Sequence, residues 1–360
     1  MSGHVVFVSY TGQVSGAEKM MLDVVAEALR TGDRVTVACP PGPLTEALPP
    51  QCRHVAIPEL GLGGTRGVAR VVAVGRLLVR CAVAGRTLSR LVRDDDTDTV
   101  VNSIFALPAV RLARPPRGAA WLVHDATTTG AQRAVIRVGA RAVRVAVACT
   151  QAAAAPVRDS GIPVEVVPYG VRWPVDDLSA ALRDPPVVGM LSLLTPWKGH
   201  RVVLEALARL PGVVAEFAGG RFPGDADYVA ELEERARRTD LAGRVRFLGH
   251  VAPDTAMAGW DLLVSASTSP EAGPLAVLEA MAHGLPVVAT DHGGPTEFLR
   301  DDVGILVPPG DARALADAIG AVLSDDSRHR MSERGRMRIA AEHDRAVTLP
   351  ALLSALTRSR

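Results

Sequence analysis

The sequence predicts an α/β protein of two halves, each a parallel sheet with helices between its strands. Three observations carry this expectation. Short apolar runs alternate with helical patterns along the whole chain, which is the signature of parallel α/β architecture. A Pro- and Asp-rich stretch, 173–186, separates two such series and reads as a linker. The chain's 360 residues suffice for two domains of ordinary size, each with its own core.

The first series of strands is HVVFVSY, RVTVAC, HVAIP, DTVVNS, AAWLVHD, RVAVACT and VEVVPYG. The helix after the first strand, GAEKMMLDVVAEALRTG, places Met20, Met21, Val24, Val25, Ala28 and Leu29 on one stripe and stops at Gly32. The second series is PVVGMLSL, VVAEFAG, RVRFLG, DLLVSAS, PVVATD and VGILVP, again with helices between. Helices follow from 312 to about 341. The expected domains are therefore 1–172 and 187–341, with a last segment, 342–360, that has the first domain's surface as one resting place. No internal sequence repeat links the halves. Two similar halves joined by a linker make a cleft, and clefts between domains are where ligands bind.

Net charge is +1, but residues 1–180 carry 20 basic and 15 acidic side chains while 181–360 carry 20 and 24. This mild asymmetry is no nucleic-acid footprint, and 4% aromatic residues supply no base-stacking platform. Cys39, Cys52, Cys81 and Cys149 lack metal or redox spacing and read as reduced thiols of a cytosolic protein. A strand begins almost at once, so a cytoplasmic location without a signal peptide is expected. No apolar run reaches the roughly 18 residues that a spanning helix needs. Of the basic residues, 38 are arginine and only Lys19 and Lys198 are lysine, which makes each lysine more informative.

The densest information lies in SASTSPEAGPLAVLEAMAHGLPVVATDHGGPTE, where Glu271 and Glu279 stand eight residues apart. A strand end turns through Pro270–Pro274 into a helix, and a second strand leads to Gly293-Gly294 ahead of another helix. Gly273, Gly293 and Gly294 are expected to let backbone approach a ligand. Helix N-termini offer free N–H groups to anionic or hydroxylated atoms. Acceptor carboxylates beside donor amides suit a ligand both phosphorylated and polyhydroxylated, such as a nucleotide sugar.

This run resembles the signature of the family-4 glycosyltransferases, retaining enzymes of the GT-B fold, in which two Rossmann-like domains with parallel sheets face each other. The matching parts are a glutamate, seven residues, a second glutamate in EAMA, then GLPVVA and GGPTE. The resemblance implies that Glu279 holds the ribose hydroxyls, and that Glu271 with the backbone of Ala272, Gly273, Pro274 and Leu275 holds the donor sugar. The stretch VVGMLSLLTPWKGHRVVLEAL resembles the family's K-G loop, so Lys198 is expected on the donor diphosphate, with amides of the helix that follows. The family's companion arginine falls on Leu193, and Arg221 in GGRFPGD is the candidate replacement.

In the first half, Gly16 in SGAE matches the glycine whose backbone faces the diphosphate in the family. His124 and Asp125 follow a strand at its C-terminal end, where open parallel sheets bind ligands. The resemblance places a substrate-contacting histidine at His124. Asn102, at the end of the preceding strand, is a candidate for the acceptor side, with Asp125 and His124. Tyr169-Gly170 matches the family's turn, except that asparagine is usual at Tyr169.

Other features carry less. Asp94–Asp98 looks like a metal-binding D-x-D but reads as a solvated turn, and the glycine run 61–67 misses a dinucleotide fingerprint by one place. Residues 66–93 hold seven arginines and no acid among Val, Leu and Ala. Such a stretch suits a membrane surface, but a polar-faced helix packed on its own sheet gives the same pattern and is the preferred expectation; Gly75 and Gly85 are expected to weaken it.

The combined expectation is a metal-independent, cofactor-free glycosyltransferase with a nucleoside-diphosphate sugar, UDP-sugar favoured, as co-substrate. Its catalytic candidates are Lys198, Glu271 and His124, and its acceptor is a small molecule of natural-product or glycoconjugate biosynthesis. Two rivals are a sugar phosphorylase of the same fold, which has no use for a ribose-binding Glu279, and a non-catalytic nucleotide-sugar-binding subunit, favoured by Leu193 and the loop PEAGP. The sequence does not specify oligomeric state.

Overall fold

The structure is a computed structural model describing residues 3–61, 68–126, 129–174, 182–221, 224–324 and 327–357. The chain forms two compact units, one running to Tyr169 and regaining the segment from Ala346, the other comprising Gly170–Arg345. Of the linker stretch, 175–181 lies outside the described residues, as does most of the glycine run 61–67.

In the first unit, β1 (His4–Val8), β2 (Arg34–Cys39), β3 (Arg53–Ala56), β4 (Thr97–Val101), β5 (Ala119–Val123), β6 (Val143–Ala148) and β7 (Val164–Val166) form one sheet. Its order is β3-β2-β1-β4-β5-β6-β7, with every pair parallel. The second unit adds β8 (Val187–Leu191), β9 (Val214–Ala218), β10 (Val245–Gly249), β11 (Leu262–Ser265), β12 (Val287–Thr290) and β13 (Ile305–Val307). These lie in the order β10-β9-β8-β11-β12-β13, again all parallel. All thirteen strands among the described residues fall on the apolar runs of the sequence, because helices cover both faces of a parallel sheet and its strands are mostly apolar.

Each sheet has a point where successive strands turn to opposite sides: between β1 and β4 in the first unit, between β8 and β11 in the second. The loops after these strands diverge there and leave a crevice at the carboxyl ends. That is the feature of the fold that positions the candidate site.

Helix Gly16–Arg30 buries Met20, Met21, Val24, Val25 and Ala28 of the expected stripe and leaves Leu29 half-buried. Helix Val68–Leu91 crosses helix Leu107–Ala113 at Gly85, where a Cβ would stand 2.7 Å from the Cβ of Leu112. Gly85 therefore serves a close helix crossing, which corrects the expectation that it only weakens the helix. In the second unit, Phe217, Leu204, Val264, Leu315 and Ile319 fill the space between sheet and helices; truncating a buried phenylalanine there costs about 3–5 kcal/mol. Helices Ala312–Ser324 and Ser327–Glu342 follow, and Arg345–Thr357 packs in the first unit, where the Arg144 guanidinium donates to the Leu356 carbonyl.

The four cysteines are free; Cys39, Cys81 and Cys149 are buried, and burial pushes the Cys39 and Cys52 thiols up to about 11. Asp94–Asp96 form an exposed turn, but Asp98 lies within β4 at 2% exposure, so the solvated-turn expectation fails for that residue. No helix among the described residues is long and apolar enough to cross a membrane.

Candidate functional site

The second unit's switch point brings the two strongest sequence candidates together. After β8 the chain makes a single tight turn, Pro196–Lys198, and Gly199 then caps helix His200–Leu207. Gly199 has φ +83°, and a Cβ there would stand 1.9 Å from the Ala266 carbonyl oxygen. Only glycine lets this turn close against the end of β11. Across the crevice, the chain leaving β11 runs through Ser267 and Glu271 into helix Leu275–Ala282. Lys198 Nζ lies 2.5 Å from Glu271 Oε2, and the Ser267 hydroxyl donates to the other carboxylate oxygen. The two side chains are 17% and 10% exposed. Lys198 was expected to await a diphosphate beside amide groups; in the structure its ammonium already has a carboxylate partner.

The glycine pair has a different role from the one expected. Gly294 N–H donates to the Glu271 carbonyl at 2.8 Å. A Cβ on Gly293 would stand 2.4 Å from that oxygen, and one on Gly294 would stand 2.6 Å from the Ala272 carbonyl. The loop 291–294 thus lies against the backbone of Glu271 and Ala272. Its glycines seat the Glu271 loop rather than clearing space for a ligand. Ala272 is buried in this contact, Pro274 caps the helix, and Leu275 is its first residue. Gly273, between them, is partly exposed. Glu279 stands one turn into that helix and is partly buried.

Four residues around this pair escaped the sequence reading. Trp197 is 42% exposed, and its ring centroid lies 4.3 Å from Lys198 Nζ. Its carbonyl accepts from both the amide and the hydroxyl of Thr268. His292 Nε2 donates to the Ser267 carbonyl at 2.9 Å, and the Thr290 hydroxyl donates to the same oxygen. These contacts fix Ser267, hence Glu271. A tryptophan beside K-G and a histidine beside G-G were the only local signals.

Arg221 is brought near the site by its backbone and not by its charge. Leu194 N–H donates to the Gly220 carbonyl, and Leu194 bridges Arg221 alongside the loop that leads to Lys198. The guanidinium, 70% exposed, pairs instead with Glu233 Oε1 at 2.9 Å. As a replacement for the family arginine at Leu193, Arg221 is therefore turned to another partner.

At the first unit's switch point a buried polar chain runs across the carboxyl ends of the strands. Asn102 Nδ2 donates to Glu18 Oε1 at 3.4 Å, and Asn102 Oδ1 lies 2.8 Å from His124 Nε2. The Tyr169 hydroxyl lies 2.6 Å from His124 Nδ1. With the Asn102 amide turned to a carboxylate, its oxygen faces the imidazole. His124 Nε2 therefore carries the proton, and Tyr169 donates to Nδ1. The ring is neutral, and burial lowers its pKa to about 3. Asn102 is only 1% exposed, its amide spent on Glu18 and His124. The tyrosine that departs from the family pattern thus holds the histidine that fits it. Glu18 also closes the capping box of helix Gly16–Arg30 by accepting from Ser15, while Gly16 itself stands exposed in open space. Burial raises Glu18, and burial followed by the Glu18 charge pushes Asp125 up to about 6.

Two Rossmann-like units of this kind constitute the GT-B fold. The Anabaena protein HepE, solved with UDP and glucose, matches at TM-score 0.83 with 24% identity over 99% of both chains. The apo lipopolysaccharide outer core galactosyltransferase WaaB matches at TM-score 0.73 and 14% identity, over 99% of this chain and all of that one. At the level of sequence, residues 177–338 match the family model described as Glycosyl transferases group 1. The lipopolysaccharide core biosynthesis glycosyltransferase LpsE of Rhizobium meliloti is 36% identical over 177 residues, 48% of this chain and 50% of that protein. The phosphatidyl-myo-inositol mannosyltransferase of Mycobacterium leprae is 38% identical over 173 residues, 44% of each. The chain spans half or less of the length of these curated relatives.

Proposed function

We propose that the chain is a glycosyltransferase that moves a sugar from a nucleoside-diphosphate sugar to a hydroxylated acceptor, with retention and without a metal or other cofactor. The observation that carries the reading is the Lys198–Glu271 pair at the switch point of the second sheet. A cation and a carboxylate beside two helix N-termini answer the two halves of such a donor: diphosphate charge and sugar hydroxyls. Lys198 and the amides of the flanking helices stabilise charge that grows on the leaving diphosphate. Glu271 accepts from the sugar hydroxyls, and Glu279 from the ribose. The leaving phosphate takes the acceptor's proton, so no protein base is needed. His124, held neutral, and Asp125 are the first unit's contribution to substrate contact.

UDP is the favoured nucleotide, supported by the UDP and UDP-glucose complexes of HepE. The names of the sequence relatives support a glycoconjugate acceptor, either a lipopolysaccharide core or an inositol lipid. They lend no support to natural-product chemistry. A second reading, a nucleotide-sugar-binding subunit without turnover, has one specific observation in its favour: Leu193 supplies no cation, and Arg221 is turned to Glu233.

The test is turnover. The protein is incubated with UDP-glucose, UDP-galactose or GDP-mannose and a panel of glycan and inositol acceptors. Released nucleoside diphosphate is measured, and the product's anomeric configuration is read by NMR. Acceptor-dependent release with retention is expected. Donor binding without release across the panel would favour the subunit reading, and inversion would remove the front-face mechanism.

A further inference from the structure

Helix Val68–Leu91 is apolar on two faces, and only one of them is packed. Cys81, Ala84 and Leu88 point inward and are nearly fully buried. At 3.6 residues per turn, Val71 and Leu78 lie on one flank of the helix, and Val72, Val79 and Val83 lie opposite the packed residues. Their exposures are 73%, 66%, 51%, 64% and 44%. The outer face expected to be polar therefore carries exposed valines among its arginines in this half of the helix. Leu112, 55% exposed, meets the helix at the Gly85 crossing and extends the patch. Arg76 and Arg80 border the apolar arc, Arg86 stands one turn further on, all three exposed, and no acidic residue occurs from 66 to 93.

Isolated exposed valines are ordinary, but a contiguous band of them is a contact surface. Its chemistry selects the occupant. The band is wholly aliphatic, whereas protein interfaces are enriched in aromatic residues. Its charges are all positive and all arginine, with stems long enough to lie along apolar groups while their heads reach phosphate. We propose that this face rests on an anionic lipid surface. Val72, Val79 and Val83 sit at the acyl boundary, and Arg76, Arg80 and Arg86 reach lipid phosphates. The helix lies on the surface and does not cross it. The inference is independent of any transferase activity.

Vesicle sedimentation tests it. The full chain is mixed with phosphatidylcholine vesicles with or without phosphatidylglycerol. Binding is expected only to the anionic vesicles, and added salt should release it. Arg76→Gln with Arg80→Gln should lower the partition by roughly fivefold per arginine. Val72→Ser with Val79→Ser should lower it by roughly tenfold per valine. All four positions are exposed, and thermal melting checks that the variants fold. Absence of binding to anionic vesicles, or binding that both double variants leave unchanged, would overturn the proposal. So would light scattering that shows a dimer dispersed by Val72→Ser with Val79→Ser, which assigns the face to a second copy of the chain.

Discussion

Glu271→Gln should tighten UDP and shrink the extra affinity that UDP-sugar has over UDP. Lys198 and Glu271 are in contact at 2.5 Å, and both are mostly enclosed. A diphosphate that takes up Lys198 must draw the ammonium from this carboxylate or share it. A pair in such a setting has a gross Coulomb energy of about 4 kcal/mol at 4 Å and an effective dielectric of about 20. Desolvation offsets much of that, leaving on the order of 1–2 kcal/mol. Glutamine keeps the shape, continues to accept from Ser267 and frees Lys198. UDP should then bind roughly 5–30-fold more tightly. The sugar loses its carboxylate acceptor, which costs about 1.5–3 kcal/mol of the extra affinity that UDP-glucose has over UDP. Calorimetric titration of wild type and variant with both ligands reads the two shifts separately. Parallel weakening of both would show that Glu271 only braces its loop. No change in either would remove the pair from the site.

Glu279→Ala should weaken UDP itself by about 1.5–3 kcal/mol; unchanged UDP affinity by calorimetry would remove the ribose assignment. Gly294→Ala places a Cβ 2.6 Å from the Ala272 carbonyl. Chemical denaturation should show a loss of roughly 1–3 kcal/mol, with UDP-glucose affinity falling more than UDP affinity as the Glu271 loop shifts. Asp125 gives a pH signature. Its folded pKa of about 6 lies above the unfolded value of about 3.9, so the native state holds its proton more tightly. The native protein is favoured at low pH and loses that advantage as pH rises through 6, at a cost of at most about 3 kcal/mol. Asp125→Asn should therefore stabilise the protein by roughly 1–3 kcal/mol at pH 8 and by nothing below about pH 4 in urea unfolding; an equal gain at both would refute the buried-carboxylate argument.

The strands were legible because residues buried on both sheet faces must be apolar, and thirteen such runs stood out. The motif around Glu271 was legible because its chemistry lies within a few tens of residues on one loop and one helix. What escaped depended on contacts distant in sequence. Nothing near Tyr169 announces that its hydroxyl reaches His124, 45 residues earlier in the chain. Glu18 reads as a helix-capping acid, yet it also holds Asn102, 84 positions away. The glycine pair was misread because a backbone pressed on backbone and a backbone cleared for ligand demand the same residue. The helix from Val68 was misread because an outward apolar face and an inward one are the same letters.

A thermal-shift panel tests whether the second unit's switch point binds a nucleoside-diphosphate sugar through Lys198 and Glu271. UDP-, GDP-, ADP- and dTDP-sugars are titrated against wild type, Lys198→Ala and Glu271→Gln. A nucleotide sugar at 100 times its dissociation constant stabilises a protein by about 2.7 kcal/mol. A shift of that size is expected for one nucleotide class, UDP first, in the wild type, and a much smaller one at the same concentration for Lys198→Ala. Lack of a shift with every donor, or an undiminished shift in the Lys198 variant, would contradict it.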